Sequence, residues 1–93
     1  MHLVGIEVNI RFFYLESLKD KRRIIKSILD TTRHKYHIST AEVGYHDSLQ
    51  NASLGFGIVT NNRQHAETVL QKVINYIDTQ SEVEIYNIEW IEI

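Results

Sequence analysis

Alternating apolar and polar residues predict an α+β protein with the element order β-α-β-β-α-β. Four segments place apolar residues at every second position, which is typical of half-buried strands. Two further segments place them at helical spacing behind residues that commonly cap helices. The chain has 93 residues, of which 43% are hydrophobic. We therefore expect residues 1–93 to form a single domain with one thin core.

The first strand is predicted over residues 2–14, where apolar and polar residues alternate. Its core-facing residues are Val4, Ile6, Val8, Ile10 and Phe12. Ser17 follows, with Asp20 three residues later, which is a spacing typical of a helix N-cap. The first helix is expected from Leu18 to Tyr36, because apolar residues recur there at intervals of three, four and seven.

The middle of the chain predicts two strands, over residues 37–44 and 51–60, joined by a polar loop at about 45–49. In the earlier strand Ala41 and Val43 are expected to face the core. In the later strand the expected core residues are Leu54, Phe56 and Ile58. This leaves Gly55 and Gly57 on the other face, where glycines either admit a close ligand or second chain or are simply tolerated.

Asn61 is expected to cap the second helix, since Gln64 follows three residues later. The buried stripe of this helix is formed by Ala66, Val69, Leu70, Val73 and Ile77. Residues 82–92 alternate Glu with larger apolar residues and predict the last strand. This order in so short a chain favours a ferredoxin-like sandwich, with a four-stranded antiparallel sheet and both helices on one face.

Charge is unevenly distributed along the chain. Seven basic residues and only two acidic ones lie between Lys19 and Lys35, which gives this segment a formal charge of +5. The rest of the chain therefore carries −7, because the net charge is −2. Cations near the start of a helix oppose its dipole by roughly 0.3–1 kcal/mol each. Stability alone does not account for their position.

The basic residues of the first helix form a flank beside its apolar stripe. At 100° per residue, five of them fall within about 100° of arc: Lys19, Arg22, Arg23, Lys26 and Arg33. Such a flank favours an anion-binding surface, and we interpret it as a contact for RNA phosphate. Two alternatives remain open: a solvated face balanced by the acidic last strand, and a contact for an acidic protein.

The last strand carries apolar residues on both of its expected faces. Tyr86, Ile88 and Trp90 are predicted to share one face with Glu84, and this face would be exposed in a monomer. Exposed apolar patches often mark interfaces. We therefore expect a homodimer or protein interface at Tyr86, Ile88 and Trp90, unless Trp90 folds over the edge of the sheet.

Several function classes find no support in the sequence. There is no cysteine, no signal-peptide pattern and no apolar run long enough to span a membrane. Glu7 and Glu42 could meet on the open sheet face as an acid/base or Mg²⁺ pair near Asp47, but exposed polar pairs are far commoner. We therefore expect a cytoplasmic protein that is not an enzyme, with no cofactor, metal, membrane contact or small-molecule substrate.

The run Ser17–Arg22 resembles the start of the helix in the YlxP-like family, bacterial proteins of unknown function (domain of unknown function 503). The likeness continues through residues 41–43 and 59–61 and His65. It implies a ferredoxin-like fold with no established activity or cofactor. Members are typically encoded near translation-initiation and ribosome-maturation factors, which implies a ribosome-linked role. Many members have Trp at the position of Leu49, which weakens a role for that loop in reading nucleic acid.

Two functional hypotheses take precedence over a third, an enzyme built on Glu7, Glu42 and Asp47. The first is an accessory factor that binds ribosomal RNA or a ribosomal subunit through the phosphate backbone, using the basic flank of the first helix. The alternative is a protein-interaction or dimerisation module that uses the open sheet face and last strand and binds no nucleic acid.

Overall fold

A computed structural model of the chain describes all residues from Met1 to Ile93. The elements are β1 (His2–Phe12), α1 (Leu18–Tyr36), β2 (Ser39–Gly44), β3 (Asn51–Thr60), α2 (Arg63–Asp78) and β4 (Val83–Glu92). The predicted order of elements is confirmed. Neither helix is long and apolar enough to cross a membrane.

The four strands form one sheet in the order β2-β3-β1-β4, and each neighbouring pair is antiparallel. Both helices pack on the same face of this sheet, and β1 and β3 are its two central strands. The predicted ferredoxin-like sandwich is therefore confirmed. The opposite face of the sheet carries no helix and is called the open face below.

The core lies between the sheet and the helices and contains one cluster of 19 buried apolar residues. All five core residues predicted for β1 belong to this cluster. Burial of each such side chain contributes about 1.5–3 kcal/mol, which is why the alternation along β1 is a dependable signal. Ile24 and Ile74 also join the cluster and widen the buried stripes of the two helices.

The start of α1 is capped as predicted, whereas the start of α2 is capped one residue later. Ser17 Oγ accepts a hydrogen bond from the Asp20 backbone N–H at 3.2 Å. For α2 the cap is Asn62, whose Oδ1 accepts from the His65 N–H at 3.1 Å. Asn61 is displaced from this role because Thr60 Oγ1 accepts from the Asn62 N–H at 3.0 Å, which makes a turn between strand and helix.

The predicted faces of β2 are reversed in the structure, and the strand begins at Ser39 rather than at residue 37. Ala41 and Val43 are exposed on the open face, whereas Glu42 lies opposite Leu54 on the helix side. The helix side accepts polar residues here because α1 supplies partners for them. At this edge, the side chain of Val43 lies over Gly55, which has no side chain to oppose it.

A β-bulge in β4 separates the three residues that were predicted to share one face. Asn9 pairs with Asn87, but Ile10 pairs with Ile85, so Tyr86 is an extra residue in the strand. Residues paired across an antiparallel ladder lie on the same face, and an extra residue shifts the alternation.

The prediction that Tyr86, Ile88 and Trp90 share a face is therefore wrong. Ile88 and Trp90 pair with the core residues Val8 and Ile6, so both lie on the helix side. Tyr86 lies on the open face, where the Arg11 guanidinium sits 4.8 Å from the centre of its ring. Whether any of the three contacts a partner stays a prediction.

Candidate nucleic-acid interface on helix α1

Five exposed cations form a continuous surface along α1, called the basic surface below. Its residues are Lys19, Arg22, Arg23, Lys26 and Arg33. The opposite side of α1 is buried against the sheet through residues such as Ile25 and Ile28, which turns these cations toward solvent. Their exposure agrees with the helical spacing, and their binding role stays a prediction.

Asp30 pairs with two of the five cations at the centre of this surface. Its Oδ2 lies 2.6 Å from Lys26 Nζ, and its Oδ1 lies 3.0 Å from Arg33 Nη1. Arg33 also donates to Thr40 Oγ1 at 2.8 Å. The hydrogen bond from Lys26 is the main cause that holds the pKa of Asp30 below its ordinary value. Lys26 and Arg33 are thus partly compensated within the protein, because one carboxylate pairs with both.

Lys19, Arg22 and Arg23 remain without an ion pair within 4.0 Å. They lie within the first two turns of α1, over about 6 Å of helix axis. Arg23 lines a shallow depression together with Glu16 and Glu82, so acidic groups share its surroundings. The strongest uncompensated charge therefore lies at Lys19 and Arg22.

Lys21, between these exposed cations, is buried. Its side chain is only 1% exposed, and its Nζ donates to the backbone oxygens of Tyr45 at 2.6 Å and Ser48 at 2.5 Å. Burial is the largest influence on Lys21 and lowers the pKa of its ammonium group, while the nearby Glu42 carboxylate opposes that shift. The role of Lys21 is to fasten the β2–β3 loop to α1.

The β2–β3 loop is ordered by this contact and by a turn of its own. Ser48 Oγ accepts from the backbone N–H groups of Gln50 at 3.3 Å and Asn51 at 3.2 Å. Tyr45 has a positive φ of 59° and an exposed side chain. Ser48 thus serves the turn, and the loop lies beside the first turn of α1.

The sequence contains a signal for the burial of Lys21 that charge counting overlooks. On a helical wheel Lys21 falls between Ile24, Ile25 and Ile28, in the middle of the apolar stripe. A cation in that position must find acceptors inside the protein. Here two carbonyl groups of a loop supply them, and Glu42 Oε2 lies 3.7 Å from Nζ.

The acidic pair considered from the sequence does not form. Glu7 pairs with Gly55 and lies on the open face, whereas Glu42 lies on the helix side opposite Leu54. The reversal of the β2 faces is the physical reason. No group of three or more His, Asp or Glu residues is placed so that it could hold a metal ion.

Comparison with known proteins places the chain in a family. A family profile described as a protein of unknown function (DUF503) matches residues 4–90. The chain belongs to the DUF503 family. The uncharacterized protein YlxP of Bacillus subtilis (strain 168) is 40% identical over 76 residues, which covers 80% of this chain and 83% of that protein.

One designed structure agrees on the fold. A de novo designed protein with a ferredoxin fold, LFR1 1, superimposes with a TM-score of 0.56 and 12% identity, covering 100% of this DUF503 chain and 84% of the designed one. The C-terminal domain of the MgtC protein from Mycobacterium tuberculosis gives a TM-score of 0.48 at 12% identity, over 99% of this chain and 87% of that domain. At 12% identity the likeness to the designed protein concerns the fold alone.

Proposed function

We propose that this DUF503 protein is a non-catalytic accessory factor that contacts the phosphate backbone of ribosomal RNA through the basic surface of α1. The observation that supports the proposal is that Lys19, Arg22 and Arg23 are exposed and have no ion pair. No carboxylate of the chain lies within 4.0 Å of these three cations, so each can pair with an anion of a partner. Nucleic acids carry phosphates at regular intervals, and Lys and Arg side chains that neutralise them release counterions, which favours binding.

The open face of the sheet lacks the residues needed to read RNA bases, so contact with the RNA backbone through α1 is the favoured mode of binding. Proteins that recognise unpaired RNA bases on a sheet stack them on exposed aromatic residues. On the open face of the two central strands the residues are Leu3, Gly5, Glu7, Asn9 and Arg11 on β1, and Asn51, Ser53, Gly55, Gly57 and Val59 on β3. None of these is aromatic, and Ser53 is engaged in a hydrogen bond to Asn9.

The number of uncompensated cations gives the expected strength of salt dependence. Each phosphate contact contributes about −0.7 to −0.9 to the slope of log K against log salt concentration, for single and double strands respectively. Three contacts therefore correspond to a slope of about −2 to −3. Contacts of this kind carry no base specificity, so the shape of the folded RNA would have to select the site.

The direct test is binding to purified small ribosomal subunits and to an unstructured RNA, with two matched charge reversals. We expect Arg22→Glu to weaken binding at low salt by about tenfold or more and to flatten the salt slope, because it removes an attraction and adds a repulsion. Lys72→Glu is the control, since Lys72 is exposed on α2 and the substitution changes the net charge equally. Equal effects of the two variants, or no binding by the unaltered protein at low salt, would contradict the proposal.

A further inference from the structure

The open face contains an apolar depression of about 320 Å³ at one end of the sheet. Its floor is made by three glycines: Gly5 on β1, and Gly55 and Gly57 on β3. Gly5 pairs with Gly57, and Gly55 pairs with Glu7. The floor thus spans the two central strands; it is open at Gly57, whereas the side chain of Val43 lies over Gly55. Glu7 marks the end of the depression that faces the polar half of the sheet.

Large apolar side chains stand around this floor and form what we call the sheet patch. Its residues are Leu3, Val43, Val59, Ile91 and Ile93, which are between 40% and 81% exposed. Val43 comes from β2 and Ile91 from β4, so these two walls are separated by three strand spacings, or roughly 14 Å. A depression of that width accepts the side chains of a second packed layer.

We propose that the sheet patch is covered by a second copy of this chain, in a two-fold symmetric dimer that packs open face against open face. A two-fold interface must use the same surface on both copies and must therefore be self-complementary. The sheet patch meets this condition, since it contains both protruding side chains and the glycine floor that receives them. Each copy fills the depression of the other.

Charge decides how the two copies are oriented. Glu7 and Glu89 pair with each other across β1 and β4 on the open face and form no ion pair with a cation. A two-fold axis that runs across the strands between Leu3 and Gly5 places Leu3 of one copy over Gly5 of the other and leaves the Glu7 ends at opposite outer edges of the interface. This orientation keeps the carboxylates of the two copies apart, whereas an axis along the strands would oppose them directly.

The size of the sheet patch sets the expected strength of the dimer. From the exposed fractions of its side chains it offers on the order of 400 Å² of apolar surface per copy. A standard stable interface buries about 800 Å² per partner, and smaller ones are transient. We therefore expect a reversible dimer that dissociates on dilution.

A substitution at Gly57 can test dimerisation without disturbing the fold of the monomer. A Cβ built at Gly57 meets nothing within 4 Å, and its φ is not positive. Gly57→Val should therefore leave the monomer intact or stabilise it, since valine suits a strand better than glycine. In the dimer the same side chain would occupy the floor and keep the second copy from approaching.

The experiment is sedimentation velocity over a range of protein concentrations, with no RNA present. We expect the mass of the unaltered chain to rise from 10.9 kDa toward twice that value, and Gly57→Val to weaken self-association at least tenfold with no loss of thermal stability. Thr68→Val, which places the same side chain on the exposed side of α2, should associate like the unaltered chain. A monomer at every concentration, or an equal dimer in the Gly57 variant, would overturn the proposal.

Discussion

Near the start of α1, the ammonium group of Lys21 joins the helix to the loop between β2 and β3. Its two shortest hydrogen bonds, to the carbonyl oxygens of Tyr45 and Ser48, cross between segments that are more than 20 residues apart in sequence. Glu42 is the only carboxylate within 4.0 Å of the ammonium group. One buried cation therefore determines where an exposed loop lies beside the basic surface.

We expect Lys21→Met to lower the free energy of unfolding by about 1–3 kcal/mol, because two part-buried carbonyl groups lose their donor. The methionine fills most of the same volume, so the effect reports the polar contacts rather than a cavity. Lys19→Met is the matched control at an exposed position and should change stability by less than about 0.5 kcal/mol. Urea unfolding measures both variants. A Lys21→Met protein as stable as the Lys19→Met protein would show that these hydrogen bonds contribute nothing.

The residues of the candidate site could be predicted only in part, and the reason lies in side-chain contacts. Helical spacing alone shows that Arg22, Lys26 and Arg33 share a side of α1. It does not show that Asp30 bonds to Lys26 and Arg33 at once, because that depends on the chosen side-chain conformers. The pairing leaves three of the five cations on the basic surface without an ion pair.

At the level of whole elements, the boundary between β3 and α2 depends on which of two adjacent asparagines caps the helix. Both have the residue type that a cap requires. Thr60 Oγ1 accepts from the Asn62 N–H and closes a turn, so the helix begins one residue later. Asn62 Oδ1 then accepts from the His65 N–H in the first turn. Sequence spacing alone favoured Asn61, because Gln64 completes a capping box with it.

We expect Asn62→Ala to destabilise the protein by about 1 kcal/mol, since the His65 N–H would lose its acceptor. For a chain of this size that corresponds to a decrease of about 4–8 °C in Tm. Asn61→Ala, one residue earlier, should change Tm by at most about half as much. Differential scanning calorimetry of the two variants decides between the caps. A larger decrease for Asn61→Ala would contradict the assignment.

The strands show where periodic patterns stop being informative. β1 is central and buried on one face, so its alternation identifies the core side correctly. β2 lies at the edge of the sheet, and its valine and alanine are exposed while Glu42 faces the helices. In β4 the extra residue Tyr86 reverses the alternation partway along the strand. Neither an edge position nor a bulge has a signature in a strict two-residue period.

Across the whole molecule, the two surfaces proposed to bind partners face in different directions. The basic surface lies on α1, on the helix side of the sheet, whereas the sheet patch lies on the open face. A dimer formed through the sheet patch leaves α1 exposed on both copies. Dimerisation and RNA binding can therefore occur together, and paired basic surfaces would raise the apparent affinity for a large RNA.

The fold of the whole molecule was predictable because every level of the sequence agrees on it. Alternation in the strands, apolar stripes in the helices and caps at their starts all favour the same order of elements. The open face was not predictable in the same way, since its apolar depression arises from the register that sets Gly5 against Gly57. Register is a property of paired strands and not of either strand alone.

The most direct measurement of the central claim is the salt dependence of binding to ribosomal RNA for the unaltered protein and for Asp30→Asn. The substitution frees Lys26 and Arg33, which are paired only with Asp30 among acidic groups. We expect tighter binding and a slope of log K against log salt that steepens from about −2 to −3 to about −3.5 to −4.5, as three phosphate contacts become five. An unchanged affinity and slope in the Asp30→Asn protein would contradict the claim that α1 binds RNA.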